Sequence, residues 1–168
     1  MFHLSDVRFL PELPDHHAAI EAIADEAFGP GRFARAAERV REMAAHDPAL
    51  SFVAEHSGAI IGSVRLTPIS VGEAPSLLLG PLAVRPDYKN RGVGKALMRL
   101  AAEAAKASGE GSIILVGDPP YYQPLGYRPL TQGSVTMPGP VDPRRLLGLE
   151  LADGGLDGLA GVIGPRPV

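Results

Sequence analysis

Cysteine and tryptophan are absent from the 168-residue sequence, and aromatic residues make up only 5% of it. Without cysteine the chain has no disulfide, no thiolate metal site and no cysteine nucleophile, which fits a reducing compartment. No apolar run approaches the roughly 20 residues that cross a bilayer, and the first residues lack the pattern of a signal peptide. We therefore expect a cytoplasmic protein with no membrane partner.

Charge and histidine spacing exclude two further classes of partner. The formal net charge is -3 and the pI is about 5.9, so no overall positive field recruits nucleic acid. The five histidines show no metal-ligand spacing with a carboxylate partner, so we expect no metal. Any site for an anion has to be formed locally.

Hydrophobic periodicity predicts one globular domain over residues 1–168. The strand 76–84 is nearly all apolar, as expected for a strand covered on both faces, and it is followed by a helix and another buried strand, 112–116. That order makes one parallel pair inside an otherwise antiparallel sheet, so the fold class is mixed α/β. The remaining predicted elements are a strand at 3–10, helices at 15–28, 32–45 and 91–107, a hairpin at 51–71, and short strands near 135–137 and 146–151 in the Gly/Pro-rich part, residues 131–168.

The stretch RPDYKNRGVGKALMRL, residues 85–100, predicts an anion site at a helix start. Gly92 and Gly94 fall in the first turn, where backbone N–H groups lack helical partners and no Cβ blocks an approaching phosphate. Five cations less Asp87 give this stretch a local charge of +4. The alternative is a solvated charged helix face. A Walker A loop does not fit, because Ala96 follows Lys95, and a dinucleotide fingerprint does not fit, because Leu97 replaces its third small residue.

The central strand carries a second signal, the pair Gly80-Pro81. Proline cannot donate to a sheet ladder, so this pair predicts a bulge where regular pairing fails. Backbone groups beyond the bulge then need another partner, which is a ligand or, alternatively, water or a neighbouring loop.

The segment K-N-R-G-V-G-K after the strand LGPLAV resembles the acyl-CoA signature Q/R-x-x-G-x-G/A of the GNAT superfamily. The order of elements over roughly residues 2–130 also resembles that fold, a mostly antiparallel sheet with a central splayed parallel strand pair and flanking helices. With GDPPYYQPLGYRP, residues 117–129, the chain looks most like the YhbS-like bacterial branch. Lys89 departs from the signature, since it keeps a cation but loses the bidentate geometry of arginine.

This resemblance implies an acyl-CoA-dependent N-acetyltransferase that uses acetyl-CoA and no metal. By resemblance, pantetheine pairs with the strand beyond the bulge and the backbone amides at the helix start hold the pyrophosphate. The implied cofactor-binding residues are Leu82, Ala83, Val84, Lys89, Asn90, Arg91, Gly92, Val93, Gly94 and Lys95.

Tyr122 matches the tyrosine that protonates the departing thiolate in this family, with Tyr121 as the alternative register and ordinary packing as the alternative role. Tyr127 matches a core aromatic. Asp118 before Pro119 indicates a helix N-cap rather than a general base. In the loop 28–33 and just beyond it, Arg32 or Arg35 binds an acceptor carboxylate or is simply solvated.

Two other classes of function stay open from the sequence. The domain is either an enzyme or a non-catalytic module that binds acyl-CoA or an acyl carrier, and an enzyme of this kind acts on an amine or on a hydroxyl. The expected partners are acetyl-CoA or another acyl-CoA and an amine acceptor that the sequence does not identify, with a homodimer as an open alternative.

Overall fold

The computed structural model describes residues 1–167, apart from the side chain of Ala34. Within that range the chain forms nine strands and four α-helices. In chain order the elements are β1 (Arg8–Pro11), α1 (His17–Phe28), α2 (Ala36–Met43), β2 (Phe52–His56), β3 (Ala59–Val71), β4 (Ala74–Val84), α3 (Val93–Ala107), β5 (Ser112–Val116), α4 (Pro119–Tyr122), β6 (Arg128–Pro129), β7 (Val135–Thr136), β8 (Leu146–Glu150) and β9 (Gly161–Pro165).

The strands follow the order β1-β2-β3-β4-β5-β8-β6, with β9 paired to both β3 and β7. Neighbours in this path are antiparallel except β4 and β5, which are parallel. The predicted mixed α/β class, with one parallel pair at the centre of a mostly antiparallel sheet, is therefore confirmed.

Alternating side chains of β4 and β5 fill a core on each face of the sheet. Leu77 and Ile113 pack with residues of α3, whereas Leu78 and Ile114 pack with Val40 of α2 and with the C-terminal segment. These two strands are thus covered on both sides, as their apolar sequences predict. The two faces place α3 and α2 on either side of the parallel pair.

Two predicted elements are shorter than the sequence pattern suggests. A 3-10 turn at Leu4–Asp6 delays the first strand until Arg8, and a 3-10 turn at Pro30–Ala34 delays α2 until Ala36. Proline fits the first positions of such a turn because its φ is fixed and its missing N–H would be unpaired there. The turn between the first two helices carries Arg32, and Arg35 follows it at the N-cap of α2.

A chain of ion pairs ties the N-terminal segment and α1 to the sheet. Arg65 of β3 donates from Nε to Glu12 Oε1 at 2.8 Å and from Nη1 to Glu21 Oε1 at 3.2 Å. Glu12 also accepts from His46 Nε2 at 2.6 Å, and Glu21 accepts from Arg32 Nη2 at 2.6 Å. The pairing fixes the position of α1 relative to β3.

Candidate active site

A cleft of about 900 Å³ opens between β4 and β5. In the described chain the two strands pair only at Leu77 with Ile113 and at Leu78 with Ile114. Beyond these pairs, residues 79–82 and 84 line one wall of the cleft and residues 115–117 line the other. The parallel pair is therefore closed at one end and open at the other.

The predicted bulge lies where the cleft begins. Val64 of β3 faces Leu82 and Leu66 faces Leu79, so Arg65 alone stands opposite the two residues Gly80 and Pro81. Beyond the bulge, residues 82–84 keep their pairing with β3 and leave the other strand edge facing the cleft. Unpaired backbone groups at such an edge are available to a ligand.

Helix α3 begins at the same open end. Its first helical hydrogen bond runs from Ala96 N to Gly92 O at 3.0 Å, so the amides of residues 93–95 have no acceptor within the helix. Asn90 and Gly92 both have left-handed backbones, with φ of 61° and 89°. Left-handed residues alternating with others turn successive N–H groups toward one side, which makes a concave anion site.

Glycine at position 94 keeps this helix start open toward the cleft. A Cβ placed on Gly94 would lie 2.9 Å from the hydroxyl oxygen of Tyr121 and 3.7 Å from Val84 Cγ2. Contacts under 3.0 Å do not occur for real Cβ atoms, so a side chain here would displace the tyrosine or fill the cleft. The backbone is thus bare where an anion would meet it.

The sequence predicts ten cofactor-binding residues. Seven of them line this cleft, and three do not. Ala83 and Val93 are buried in the core, and the guanidinium of Arg91 lies over the ring of Phe2 at 5.2 Å. For Val93 the backbone amide at the helix start remains for a ligand, whereas Ala83 pairs with Ser63 of β3. The seven residues at the cleft are Leu82, Val84, Lys89, Asn90, Gly92, Gly94 and Lys95.

Tyr121 and Tyr122 both line the cleft from α4. The Tyr122 ring lies directly against Gly117, where a Cβ would overlap it, and meets the Tyr121 ring edge to face at 4.8 Å. Burial, followed by the neighbouring Tyr121 and the charge of Asp118, raises the pKa of Tyr122 to about 12. Its hydroxyl therefore stays protonated at neutral pH and acts as a donor. Tyr127 is only 3% exposed, which fits a core aromatic.

Asp118 precedes α4 at the N-cap, with Pro119 at the first helical position, as predicted, but its side chain does not cap the helix. Within residues 1–167 its carboxylate accepts no capping hydrogen bond. Pro119 and Pro120 lack N–H groups, and the Tyr121 N–H donates to the backbone oxygen of Asp118 at 3.1 Å instead. The carboxylate is 77% exposed and lies 3.3 Å from Arg145 Nε.

The two arginines that the sequence singles out near the acceptor loop have different environments. Arg32 is 5% exposed and donates to Glu21 at 2.6 Å and to Asp25 at 2.9 Å, so two carboxylates already balance its charge. Arg35 is exposed, with its guanidinium 5.1 Å from the centre of the Phe28 ring. Both line the cleft, but Arg32 is committed to its own ion pairs.

A third arginine at the cleft was missed. The helical pattern places Arg41 on the outer face of α2, whereas the structure turns its guanidinium into the cleft beside Gly80, where a Cβ would overlap Nη2. Arg41 Nη1 donates to Glu38 Oε1 at 2.7 Å. Its signal in the sequence is weak, since it merely follows the buried Val40 at the border of the apolar face.

No metal site and no membrane span were found in the described part of the chain. Among residues 1–167, no group of three or more His, Asp or Glu side chains is placed to hold a metal ion. None of the helices described there has the length and apolarity to cross a membrane.

Residues 16–127 match the model of the acetyltransferase (GNAT) family. This match spans most of the chain, and the protein belongs to the GNAT family of acetyltransferases. Over 114 residues the chain is 32% identical to YjhQ of Escherichia coli strain K12, an uncharacterized N-acetyltransferase. That alignment covers 66% of this chain and 63% of YjhQ, so it spans less than two thirds of the relative's length.

Solved structures share the fold. The chain is similar to the GNAT family N-acetyltransferase YhbS from Escherichia coli, solved in complex with CoA, with a TM-score of 0.79 and 22% identity over 96% of this chain and 90% of that one. It is also similar to a GNAT family acetyltransferase from Brucella melitensis solved with acetyl-CoA, with a TM-score of 0.61 and 24% identity over 84% of this chain and 94% of that one. The family match confirms the resemblance to the GNAT superfamily, and the structural match shows that the chain shares the fold of YhbS.

Proposed function

We propose that the protein is an acyl-CoA-dependent N-acetyltransferase that moves the acetyl group of acetyl-CoA directly to a primary amine. The observation that carries this proposal is the meeting of two features in one cleft, the bare helix start at Gly94 and the free edge of β4 beyond its bulge. The solved complexes of YhbS with CoA and of the Brucella protein with acetyl-CoA support the choice of acyl donor.

The residues present fit the parts of a CoA molecule. Amides at residues 90–95, with the cations Lys89 and Lys95 beside them, would hold the pyrophosphate, because a helix start presents N–H groups and a positive dipole end to an anion. The open edge at residues 82–84 would pair with the amides of pantetheine. CoA, when bound, supplies an acetyl thioester that an amine can attack.

Transfer forms a C–N bond to the acetyl carbon and breaks its C–S bond, so one proton leaves the amine and one reaches the thiolate. Tyr122 is the proposed donor to the thiolate, since its raised pKa keeps it protonated. Backbone N–H groups beyond the bulge would stabilise the charge on the carbonyl oxygen. We assign no side chain to removal of the amine proton and propose that water takes it.

Release of free thiol from acetyl-CoA across a broad panel of amines and alcohols tests the proposal. The expected result is saturable thiol release with amines, accompanied by an amide product of the acetylated mass. Saturable CoA binding without thiol release would indicate a binding module instead, and a product cleaved by hydroxylamine would indicate transfer to a hydroxyl. A homodimer stays a prediction, which sedimentation tests.

A further inference from the structure

The guanidinium of Arg41 has donor groups to spare. Nη1 donates to Glu38, but Nε is buried and has no hydrogen-bond partner among the described residues. The hydrogen bonds found within residues 1–167 likewise include none from Nη2, which lies against Gly80. Arg41 lines the cleft, and because Nη2 stays accessible while Nε is buried, Nη2 is the donor that a ligand in the cleft can reach. A charged donor without a protein partner is available to an anionic acceptor.

The charge of Arg41 is also less balanced than that of its buried neighbours. Arg32 holds Glu21 and Asp25, and it lies 3.7 Å from Glu38, the one carboxylate that Arg41 holds in the described chain. The pKa of Arg41 is lowered. Burial lowers it most, Glu38 opposes that shift only in part, and the nearby charges of Arg35 and Arg32 lower it further. An additional anion beside Arg41 would relieve this imbalance.

The acids at this end of the cleft are already paired with arginine. Asp118 lies 3.3 Å from Arg145 Nε, which makes no hydrogen bond within the described residues, and Asp142 accepts two hydrogen bonds from the side chain of Arg144. Glu38 is held by Arg41 at 2.7 Å. Arg35 adds a further cation at the rim. This part of the cleft, where the acceptor would bind, therefore presents arginine donors to a ligand.

The position of Arg41 limits where such an anion would lie on an acceptor. Nη2 is beside Gly80, at the bulge where β4 becomes available to the acyl donor in the proposed function. An anion bound there sits close to the thioester carbonyl, so it is separated from the attacking nitrogen by few bonds. Guanidinium has the planar fork that matches a carboxylate.

We infer that the acceptor is an amine with a carboxylate close to its amino group, such as an α-amino acid, and that Arg41 binds that carboxylate. This inference rests on the proposed acetyl transfer and names the acceptor class for the same site. A lysine side chain within a protein has its nitrogen far from any such carboxylate and is a poor fit. An α-amine with its own free carboxylate is the best fit.

The test compares acceptors and products that differ only in the carboxylate. N-acetyl-α-amino acids and the matching N-acetyl-α-amino amides are titrated into the CoA-bound protein by calorimetry, and the free amino acids and their amides are compared in the thiol assay. Wild type should favour the acid over the amide by about 10- to 100-fold, the range expected of hydrogen bonds to a charged group. Arg41→Gln should reduce that preference to near one while CoA affinity stays unchanged.

Two further variants separate binding of the carboxylate from general effects on α2. Arg39→Ala removes an exposed arginine two residues away on the same helix, outside the cleft, and should leave the preference unchanged. Arg41→Lys keeps the charge but loses the fork, so it should keep part of the preference. Arg41→Lys also tests the inference if Arg41→Gln does not fold.

Three outcomes would overturn the inference. A wild-type preference for the acid over the amide that is near one contradicts it, and so does a full preference that survives in Arg41→Gln. In either case the proposed acetyl transfer still stands if neutral amines are acetylated. A loss of the preference for the acid in Arg39→Ala that is as large as the loss in Arg41→Gln contradicts the role of Arg41. Lack of CoA binding by the wild-type protein overturns the proposed function first and this inference with it.

Discussion

Tyr122 is the residue at which the proposed chemistry is most sharply defined. Its ring is held against Gly117, and burial raises its pKa to about 12, well above that of a free thiol, near 8.5. A tyrosine in that state donates a hydrogen bond readily and gives up its proton only to a strong base, such as a thiolate kept away from water. Its contribution to turnover should thus be large but bounded.

Replacement of Tyr122 by phenylalanine should lower kcat by about 10²- to 10⁴-fold, the usual contribution of a general acid. Affinity for CoA should stay within a few-fold of wild type, because the ring and its packing remain. Steady-state kinetics on an accepted amine, with calorimetry for CoA, measure both quantities. The wild-type profile of kcat against pH should show no loss of activity from this residue below about pH 10, since it remains protonated there.

Tyr121 is the matched control. Its hydroxyl lies over Gly94, at the proposed phosphate site. Tyr121→Phe should therefore change turnover much less than the change at Tyr122. If turnover falls in Tyr121→Phe and is unaffected in Tyr122→Phe, the donor is Tyr121; if both variants turn over at the wild-type rate, neither tyrosine is a donor.

Glu12 is a buried carboxylate whose effect is on stability. Burial acts to raise its pKa, but the hydrogen bonds from His46 and Arg65 and their charges prevail and lower it to about 2. Because the folded pKa lies below the unfolded value of about 4.3, the stabilisation is fully present above that value. It is lost as the pH falls from about 4.3 towards 2.

Glu12→Gln should lower the free energy of unfolding at pH 7 by about 3–5 kcal/mol, because it leaves Arg65 without its closest counter-ion in a buried site. The difference from wild type should shrink as the pH falls towards 2, where half of wild-type Glu12 becomes protonated. Urea unfolding at a series of pH values measures this. Glu55→Gln, which breaks an ion pair with the exposed Arg8, is the control and should cost under about 1 kcal/mol. A pH-independent loss in Glu12→Gln would contradict the electrostatic origin.

Among the elements, those specified by local sequence were predicted best. The predicted hairpin at 51–71 agrees with β2 and β3, and the predicted strand 112–116 agrees with β5, since glycine or polar turns mark their ends. β9 was missed, because GVIGP has two glycines and a proline and forms a strand through its pairing with residues 69–71 of β3 and with β7. That pairing is tertiary and leaves little trace in the segment itself.

The same distinction explains which parts of the site could be predicted. The helix start at Gly92 and Gly94 is a local motif, and its glycines and cations can be found by spacing alone. The direction of Arg41 depends on the space left by Gly80 on another element, so the pattern of α2 gives the wrong face. Residues whose role arises from contact between distant segments are the ones that sequence patterns do not identify.

The C-terminal arm that carries β9 also fastens the closed end of the parallel pair. Arg166 donates to both oxygens of Glu110, at 2.7 and 3.0 Å, and to the backbone oxygen of Ser76. Ser76 Oγ in turn lies 2.7 Å from Ser112 Oγ, just before the strands pair. This arm therefore secures the end of β4 and β5 opposite the cleft.

Arg166→Ala should lower the free energy of unfolding by about 1–3 kcal/mol, because it leaves a carboxylate and a carbonyl in a partly buried site without their donor. Arg166→Lys should recover part of the loss, since one ammonium cannot reproduce the fork. Chemical denaturation measures both. Arg8→Ala, at a residue 69% exposed in its ion pair, should be near neutral. A loss in Arg166→Ala no larger than that of Arg8→Ala would show that the arm does not secure the sheet.

At the scale of the whole molecule, the cleft draws on both faces of the sheet. Its walls come from β4 and β5, its anion site comes from α3, and α4 contributes two tyrosines. Its arginines come from α2, the turn before α2 and the turn before β8. A ligand that contacts all of these binds the folded chain and not the unfolded one. Ligand binding should therefore stabilise the entire fold by mass action.

CoA or acetyl-CoA at about 100 times its dissociation constant should add about 2.7 kcal/mol to the free energy of unfolding and raise Tm by roughly 5–10 °C for a chain of this length.

Gly94→Asp is the matched control, because its side chain would meet Tyr121 and its charge would repel a phosphate at the helix start. The variant should fold yet show no Tm shift with CoA, whereas Lys95→Ala should keep most of the shift, since backbone amides carry much of the contact. Thermal scans with and without millimolar CoA measure these shifts. If the wild type shows no shift and no calorimetric signal, the cleft is not a CoA site; if Gly94→Asp keeps the wild-type shift, CoA binds elsewhere than at the start of α3.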